Sequence, residues 1–214
     1  MGSSALPEEI RIAVFAKAPV PGEVKTRLNA LLGPDGAAAL HAGLVRHALS
    51  VATASGVGQV ELHYAPDTRD AFFARCAERF HVSLVPQQGA DLGERMRRAF
   101  EGAFAARSAL LVIGSDCPAL GASELRTAAT ALREKGAVII PAEDGGYVLI
   151  GLAAPVEGLF EGVDWGTERV LRQTRARFAE AKTQCVELPT LWDLDRPEDY
   201  ARLSREGLLD TVLS

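Results

Sequence analysis

An α/β fold around a mixed, mostly parallel sheet follows from three observations. Short apolar runs alternate with longer segments of helical period, the helical segments have readable ends, and one connection between apolar runs is too short to hold a helix. The first run, residues 12–16, is apolar throughout and suits a strand buried on both faces, as central strands of parallel sheets are. Runs at 60–64, 82–85, 110–113, 138–141, 148–152 and 185–188 repeat the pattern.

Helices are predicted at 35–54, 67–80, 91–106, 123–135, 167–181 and 197–206, because Asp, Ser or Thr precedes the first turn and Gly often follows the last. Between Pro141 and Val148 only a turn-like stretch with Gly145 and Gly146 intervenes, so these strands are expected to form a hairpin or a bulged bend. One domain over 10–214 is expected, preceded by an unstructured or appended tail at 1–9.

Composition narrows the function. The 214 residues are 48% hydrophobic and 24% charged, ordinary globular usage, and the net charge of −5 argues against a partner bound through a nucleic-acid backbone. Cys76, Cys117 and Cys185 are an odd number without a C-x-x-C pair, which suits a reducing cytoplasm better than a disulfide or zinc framework. No signal peptide or membrane-length apolar run is present, so a cytoplasmic protein without membrane insertion is expected.

The loop after the first strand, with Lys17, Pro21, Gly22, Lys25 and Arg27, is a candidate phosphate site, since ligands of open α/β sheets sit at strand carboxyl ends. It lacks both the P-loop pattern and the dinucleotide fingerprint G-x-G-x-x-G, and its basic residues also suit a solvated surface loop. A second stretch offers Gln88 to a nucleobase edge and Gly89 and Gly93 for close approach, with Asp91 and Glu94 forming a capping box. Asp116, just beyond the fourth strand, is the strongest candidate for holding a divalent cation over phosphates.

Glu143 and Asp144 precede the two glycines of the hairpin, and Thr167 reads as a helix N-cap beside Trp165. Asp195 reads as the N-cap of the last predicted helix, with Glu198 completing a capping box, while Asp193 alternates with it on an extended segment and offers a second metal carboxylate. The four histidines, His41, His47, His63 and His81, show no ligand spacing toward a carboxylate or cysteine, so any metal site is expected to be oxygen-rich. No G-x-S-x-G elbow is present, and Cys117 reads as a small buried filler.

Five motifs in order, P-x-P-G-x-V-K-T-R-L at 19–28, Q-G-x-x-L-G-x-R-M at 88–96, G-S-D-C-P at 114–118, E-D-G-G-Y at 143–147 and W-D-L-D-x-P-E-D at 192–199, span nearly the whole chain. Together they resemble the bacterial glycosyltransferase family of the nucleotide-diphospho-sugar transferase superfamily, related to molybdenum-cofactor and phospholactate guanylyltransferases. The resemblance implies a GT-A-like, Rossmann-related three-layer α/β/α sandwich. It implies that Lys25 and Arg27 grip nucleotide phosphates and that Gln88, Gly89 and Arg95 face the nucleotide. Asp116 with Asp193 or Asp195 would hold Mg2+ or Mn2+.

The activity implied is metal-dependent transfer from a nucleotide or nucleotide-sugar donor to a small-molecule acceptor. Glycosyl transfer stands ahead of nucleotidyl transfer to a phosphorylated acceptor, and a non-catalytic nucleotide-sensing module is a third reading. Glu143 or Asp144 would orient or deprotonate the acceptor hydroxyl.

Overall fold

The computed structural model of the chain describes residues 9–66 and 71–213. Seven strands form one sheet in the order β3-β2-β1-β4-β6-β5-β7. They are β1 (Ile10–Lys17), β2 (Gln59–Ala65), β3 (Ser83–Pro86), β4 (Ala109–Gly114), β5 (Ala137–Pro141), β6 (Tyr147–Leu152) and β7 (Val186–Glu187). Only β6 runs against its neighbours, pairing antiparallel with both β4 and β5, so the sheet is mixed and mostly parallel as expected.

Among the described residues the α-helices are α1 (Asn29–Ala54), α2 (Ala71–Phe80), α3 (Leu92–Ala105), α4 (Ala122–Lys135), α5 (Val170–Glu180), α6 (Pro197–Arg205) and α7 (Leu209–Leu213). The period-2 alternation of β1 sorts them onto the two faces. Ile12 and Val14 join a core with Leu49 of α1, Phe73 of α2 and Leu125 of α4. Ala13 and Phe15 join the opposite core with Met96 and Phe100 of α3 and Phe178 of α5. The result is the helix–sheet–helix layering expected of this fold class. A third, smaller cluster gathers Leu28, Leu40, Leu44, Trp192, Leu194, Leu203 and Val212 at one end of the sheet.

Several helix ends differ from expectation. α1 begins at Asn29, six residues early, but Gly33 breaks it at φ 69°, and the helix restarts at Pro34. The predicted start at Asp67 and residues 1–8 of the predicted tail lie outside the described residues, while Glu9, the tail's last residue, accepts at its carbonyl from Ala109 N–H at 2.9 Å. α5 begins at Val170, not Thr167; the Thr167 hydroxyl donates to the Asp164 carbonyl and accepts from the Arg169 N–H, a local turn ahead of the helix. Asp195 is not the cap of α6. Asp199 reaches back to accept from the N–H groups of Asp195 and Arg196, which leaves the Asp195 carboxylate available to other partners.

On β2, Glu61 accepts from Arg11 at 3.2 Å and pairs with His63 at 3.0 Å, its side chain 15% exposed. The His63 hydrogen bond, helped by the charges of His63 and Arg11 and opposed by burial, holds its carboxyl below the ordinary glutamate value of 4.5. A depressed carboxylate adds stability above the unfolded value and loses it as pH falls through the folded value. Glu61→Gln is therefore expected to lower stability by about 1 kcal/mol at pH 7. In urea melts the gap to wild type should close as pH falls below 4.5, and a constant gap would rule out the charge as its source.

Candidate nucleotide site at the carboxyl edge of the sheet

Strands β1, β2, β3 and β4 end on one edge, where the 18–28 loop, the β3–α3 connection and the β4–α4 connection meet the extended segment 192–196. The first loop opens with a type II turn: Glu23 N–H donates to the Val20 carbonyl at 3.0 Å, with Pro21 preset for the turn and Gly22 at φ 83°. Lys25 then takes a left-handed conformation (φ 47°) ahead of a 3-10 turn, Thr26–Leu28. Burial of Val24 and Leu28 on either side draws the Lys25 side chain under the loop.

Lys25 Nζ, on a side chain 4% exposed, donates to the Leu194 carbonyl at 2.5 Å and stands 2.9 Å from Asp116 Oδ1 and 3.9 Å from Asp195 Oδ1. Leu194 N–H donates in turn to the Asp116 carbonyl at 2.8 Å. Arg27, 63% exposed, pairs with Asp195 Oδ2 from the solvent side. Burial alone would raise the Asp116 carboxyl; the Lys25 ammonium, with His41 and Lys17, reverses this, and the net shift is downward. Burial first, and then the neighbouring Asp144, push Asp193 the other way, up to about 6.

Two adjoining cavities lie here. The first, about 650 Å³, is lined by Lys17, Lys25, Arg27, Arg95, Asp116 and Asp195 among the predicted residues, with His41, Gln87, Gly114 and Trp165 as additions. The second, about 550 Å³, shares Arg27, Gly166 and Asp195 with it and adds Glu143, Asp144 and Asp193. Glu143 is held at both carboxylate oxygens by Arg202, at 3.2 and 3.0 Å. Asp144 Oδ1 accepts from Gly146 N–H at 2.8 Å.

Other predicted residues fall outside. Pro21 and Gly22 are exposed and line neither cavity. Gln88 opens onto a neighbouring recess of about 200 Å³ that shares Gln87 and Arg95 with the first cavity. It is Gln87 that enters the first cavity, its Nε2 donating to the His63 carbonyl at 2.7 Å and the Ala16 carbonyl at 3.4 Å. The glycines expected to admit a nucleobase are spoken for by protein: a Cβ at Gly93 would stand 2.5 Å from the Trp165 indole nitrogen, and one at Gly89 2.8 Å from Arg95 N. Gly114, by contrast, faces open space.

The capping box of α3 forms with one change. Asp91 accepts from Glu94 N–H at 2.8 Å, but Glu94 returns the bond to Ala90 N–H at 2.9 Å. Cys117 is buried, its thiol raised to about 12 chiefly by burial, which suits a packing filler. Among the described residues no three His, Cys, Asp or Glu side chains converge to hold a metal ion by themselves, and no helix is long and apolar enough to cross a membrane.

The contrast between the two basic residues is measurable. Removing the charge of buried Lys25 leaves Asp116 unpaired, so Lys25→Met should destabilise by about 2 kcal/mol, less than a fully buried pair because the Asp116 side chain is 48% exposed. Arg27→Met should change stability by less than about 0.5 kcal/mol. Equal losses in urea unfolding would mean that burial does not separate the two roles.

Across 95% of its length the chain is 29% identical to a candidate nucleotide-diphospho-sugar transferase from Desulfovibrio desulfuricans G20, matching 97% of that chain with a TM-score of 0.81. A nucleotidyl transferase from Methanothermobacter shares the fold at 17% identity and a TM-score of 0.63, over 95% of this chain and 99% of that one. CMP:2-keto-3-deoxy-manno-octonic acid synthetase, in complex with CTP, shares it at 11% identity and 0.58, over 95% of this chain and 100% of its own. None of the curated proteins matches the chain. Residues 48–167, more than half of the sequence, match the family described as "Uncharacterized protein conserved in bacteria (DUF2064)", and the chain belongs to that family.

Proposed function

We propose that the protein is a metal-dependent transferase that moves a glycosyl group from a nucleotide-diphospho-sugar to a hydroxyl of a small-molecule acceptor. The observation that carries this reading is the pair of joined cavities with different charge. The first sets Lys17, Lys25, Arg27 and Arg95 against Glu23, Asp91, Asp116 and Asp195. The second sets only Arg27 and Arg196 against Glu143, Asp144, Glu168, Asp193, Asp195, Glu198 and Asp199. Phosphates suit the first, and a phosphorylated acceptor would be repelled from the second, which favours sugar transfer over joining a nucleotide to a phosphate-bearing acceptor.

The similarity to a candidate nucleotide-diphospho-sugar transferase over almost the full length supports the same reading. Exposed Arg27 and Lys17, which line the first cavity with Arg95, would meet the donor phosphates, and Arg95 the nucleoside. Lys25 keeps Asp116 ionised on the cavity floor. Two carboxylates on the first cavity, Asp116 and Asp195, would hold a divalent cation, with the donor phosphates completing its shell. Asp193 lines only the second cavity, so Asp195 is the better partner of Asp116 for Mg2+ or Mn2+. When bound, the ion would neutralise charge developing on the leaving nucleoside diphosphate.

In the reaction the bond between the anomeric carbon and the diphosphate oxygen breaks and the acceptor oxygen bonds to that carbon. The acceptor proton passes to Asp144, whose Oδ2 remains available, while Arg202 occupies Glu143. Asp144→Asn should therefore lower turnover by about 10²-fold or more. Glu143→Gln should lower it by less than tenfold; the reverse order would move the base to Glu143.

The deciding experiment is a product assay with nucleotide sugars and nucleoside triphosphates, each with Mg2+ or Mn2+. Release of nucleoside diphosphate supports sugar transfer, and release of pyrophosphate would replace it with nucleotidyl transfer. The donor is found first by thermal unfolding: ligand at 100 times its dissociation constant adds about 2.7 kcal/mol, or roughly 5 to 10 °C for a chain of this size. The shift should need the metal and be lost in Asp116→Ala. A shift with no turnover on any acceptor would leave a nucleotide-sensing module.

A further inference from the structure

Trp165 has no part in the transfer chemistry assigned above, yet it stands where the two cavities approach each other. It lies on the connection from β6 to α5 and lines the first cavity, while the next residue, Gly166, lines both cavities with Arg27 and Asp195. Most of the first cavity's apolar lining is out of a ligand's reach, because Phe15, Ala16 and Val24 are buried. Half-buried Trp165 and Leu92, 44% exposed, are the apolar surface left to meet one.

The indole is held in place from two sides of the fold. A Cβ on Gly93, the residue after Leu92, would stand 2.5 Å from the indole nitrogen and 2.7 and 2.8 Å from two ring carbons, so the first turn of α3 meets the ring only because Gly93 has no side chain. The ring also packs against Phe160, with centroids 6.4 Å apart, and Phe160 stacks on Phe100 at 5.6 Å. An aromatic surface fixed in this way loses little side-chain freedom when a ligand covers it.

Its position decides what covers it. Donor phosphates belong with Lys17 and Arg27 and the acceptor with the second cavity, so the sugar that passes between them sits at the wall of Arg27, Gly166 and Asp195. The nucleoside lies at the other end, by Gln87 and Arg95, which line the neighbouring recess as Trp165 does not. A pyranose ring carries hydroxyls around its edge and C–H bonds on its faces. Such a face buries apolar area on an indole and is drawn to the negative face of its π-system. The γ-phosphate of a nucleoside triphosphate would gain nothing from the same surface.

We propose that Trp165 is the platform on which the donor's transferred sugar lies, a hexopyranose with one C–H face against the indole. The inference rests on the proposed sugar transfer and adds to it the residue that recognises the transferred group.

The test is isothermal titration calorimetry of the full chain with Mn2+, using UDP-glucose, GDP-mannose, dTDP-glucose and ADP-glucose, each against its own nucleoside diphosphate. Wild type should bind at least one of these sugar nucleotides. Trp165→Leu should weaken that binding about tenfold and leave the matching nucleoside diphosphate within about twofold. Trp165→Phe, which keeps a ring, should lose less than about threefold. Gly93→Ala keeps the indole but displaces it, and should weaken the sugar nucleotide selectively as Trp165→Leu does. Equal losses for sugar nucleotide and nucleoside diphosphate would assign the indole to the nucleoside or to the scaffold and overturn the proposal, as would unchanged sugar-nucleotide binding in both Trp165→Leu and Gly93→Ala. Wild type that binds none of the four sugar nucleotides would overturn the proposal together with sugar transfer, an outcome read without any variant. Retained nucleoside diphosphate binding shows that a variant is folded, and Gly93→Ala carries the decision if Trp165→Leu is not.

Discussion

The arrangement of the site depends on one buried ammonium. Lys25 Nζ ties together three segments distant in sequence: the loop after β1, the end of β4 at Asp116, and the returning segment at Leu194 and Asp195. None of these would hold the others by apolar contact alone, because each turns polar atoms toward the cavity. An ammonium out of water must be matched by acceptors, and a carboxylate beside it must be matched by a cation. The left-handed backbone at Lys25 is what turns its side chain inward at that point, while Arg27, two residues on, faces solvent.

That polar tie stands on the third apolar cluster. Leu28 anchors the loop from one side and Trp192 and Leu194 anchor the returning segment from the other, with Leu40 and Leu44 of α1 and Val212 of α7 between them. Trp192 is also covered by the Arg202 guanidinium, 4.6 Å from the ring centre, and the same arginine holds Glu143. Gly43 allows α7 to seat, since a Cβ there would run into the Val212 carbonyl. The short last helix, which no periodic signal marks, thus closes the platform under the site.

Most of the fold was legible because central strands are buried on both faces and must be apolar throughout, a requirement that hardly any other element imposes. The order of the chemistry-bearing loops was legible for the same reason: strand ends fix where loops emerge. What local pattern cannot carry is pairing across the chain. Asp195 satisfies every local requirement of an N-cap, yet Asp199 takes the cap and the Asp195 carboxylate goes to Arg27 and Lys25. Gly89 and Gly93 signal close approach correctly, but what approaches is the backbone of α3 and the Trp165 ring. His41 carries no spacing signal, because it meets Asp116 only once α1 is laid on the sheet.

The reversed strand explains why two cavities exist. β5 runs parallel to β1 and β4, so a crossover helix after it would carry the chain away from the carboxyl edge. The hairpin to β6 instead leaves the turn at 142–146 standing on that edge. There Ala142 bridges to Leu191 and Glu143 N–H donates to the Leu191 carbonyl at 3.0 Å, which sets the acidic turn beside the segment bearing Asp193 and Asp195. The carboxylates crowd closely enough that Asp144 helps to raise Asp193. The single antiparallel strand is therefore what sets an acidic chamber against a cation-bearing one, with Arg27 and Asp195 on the wall between them.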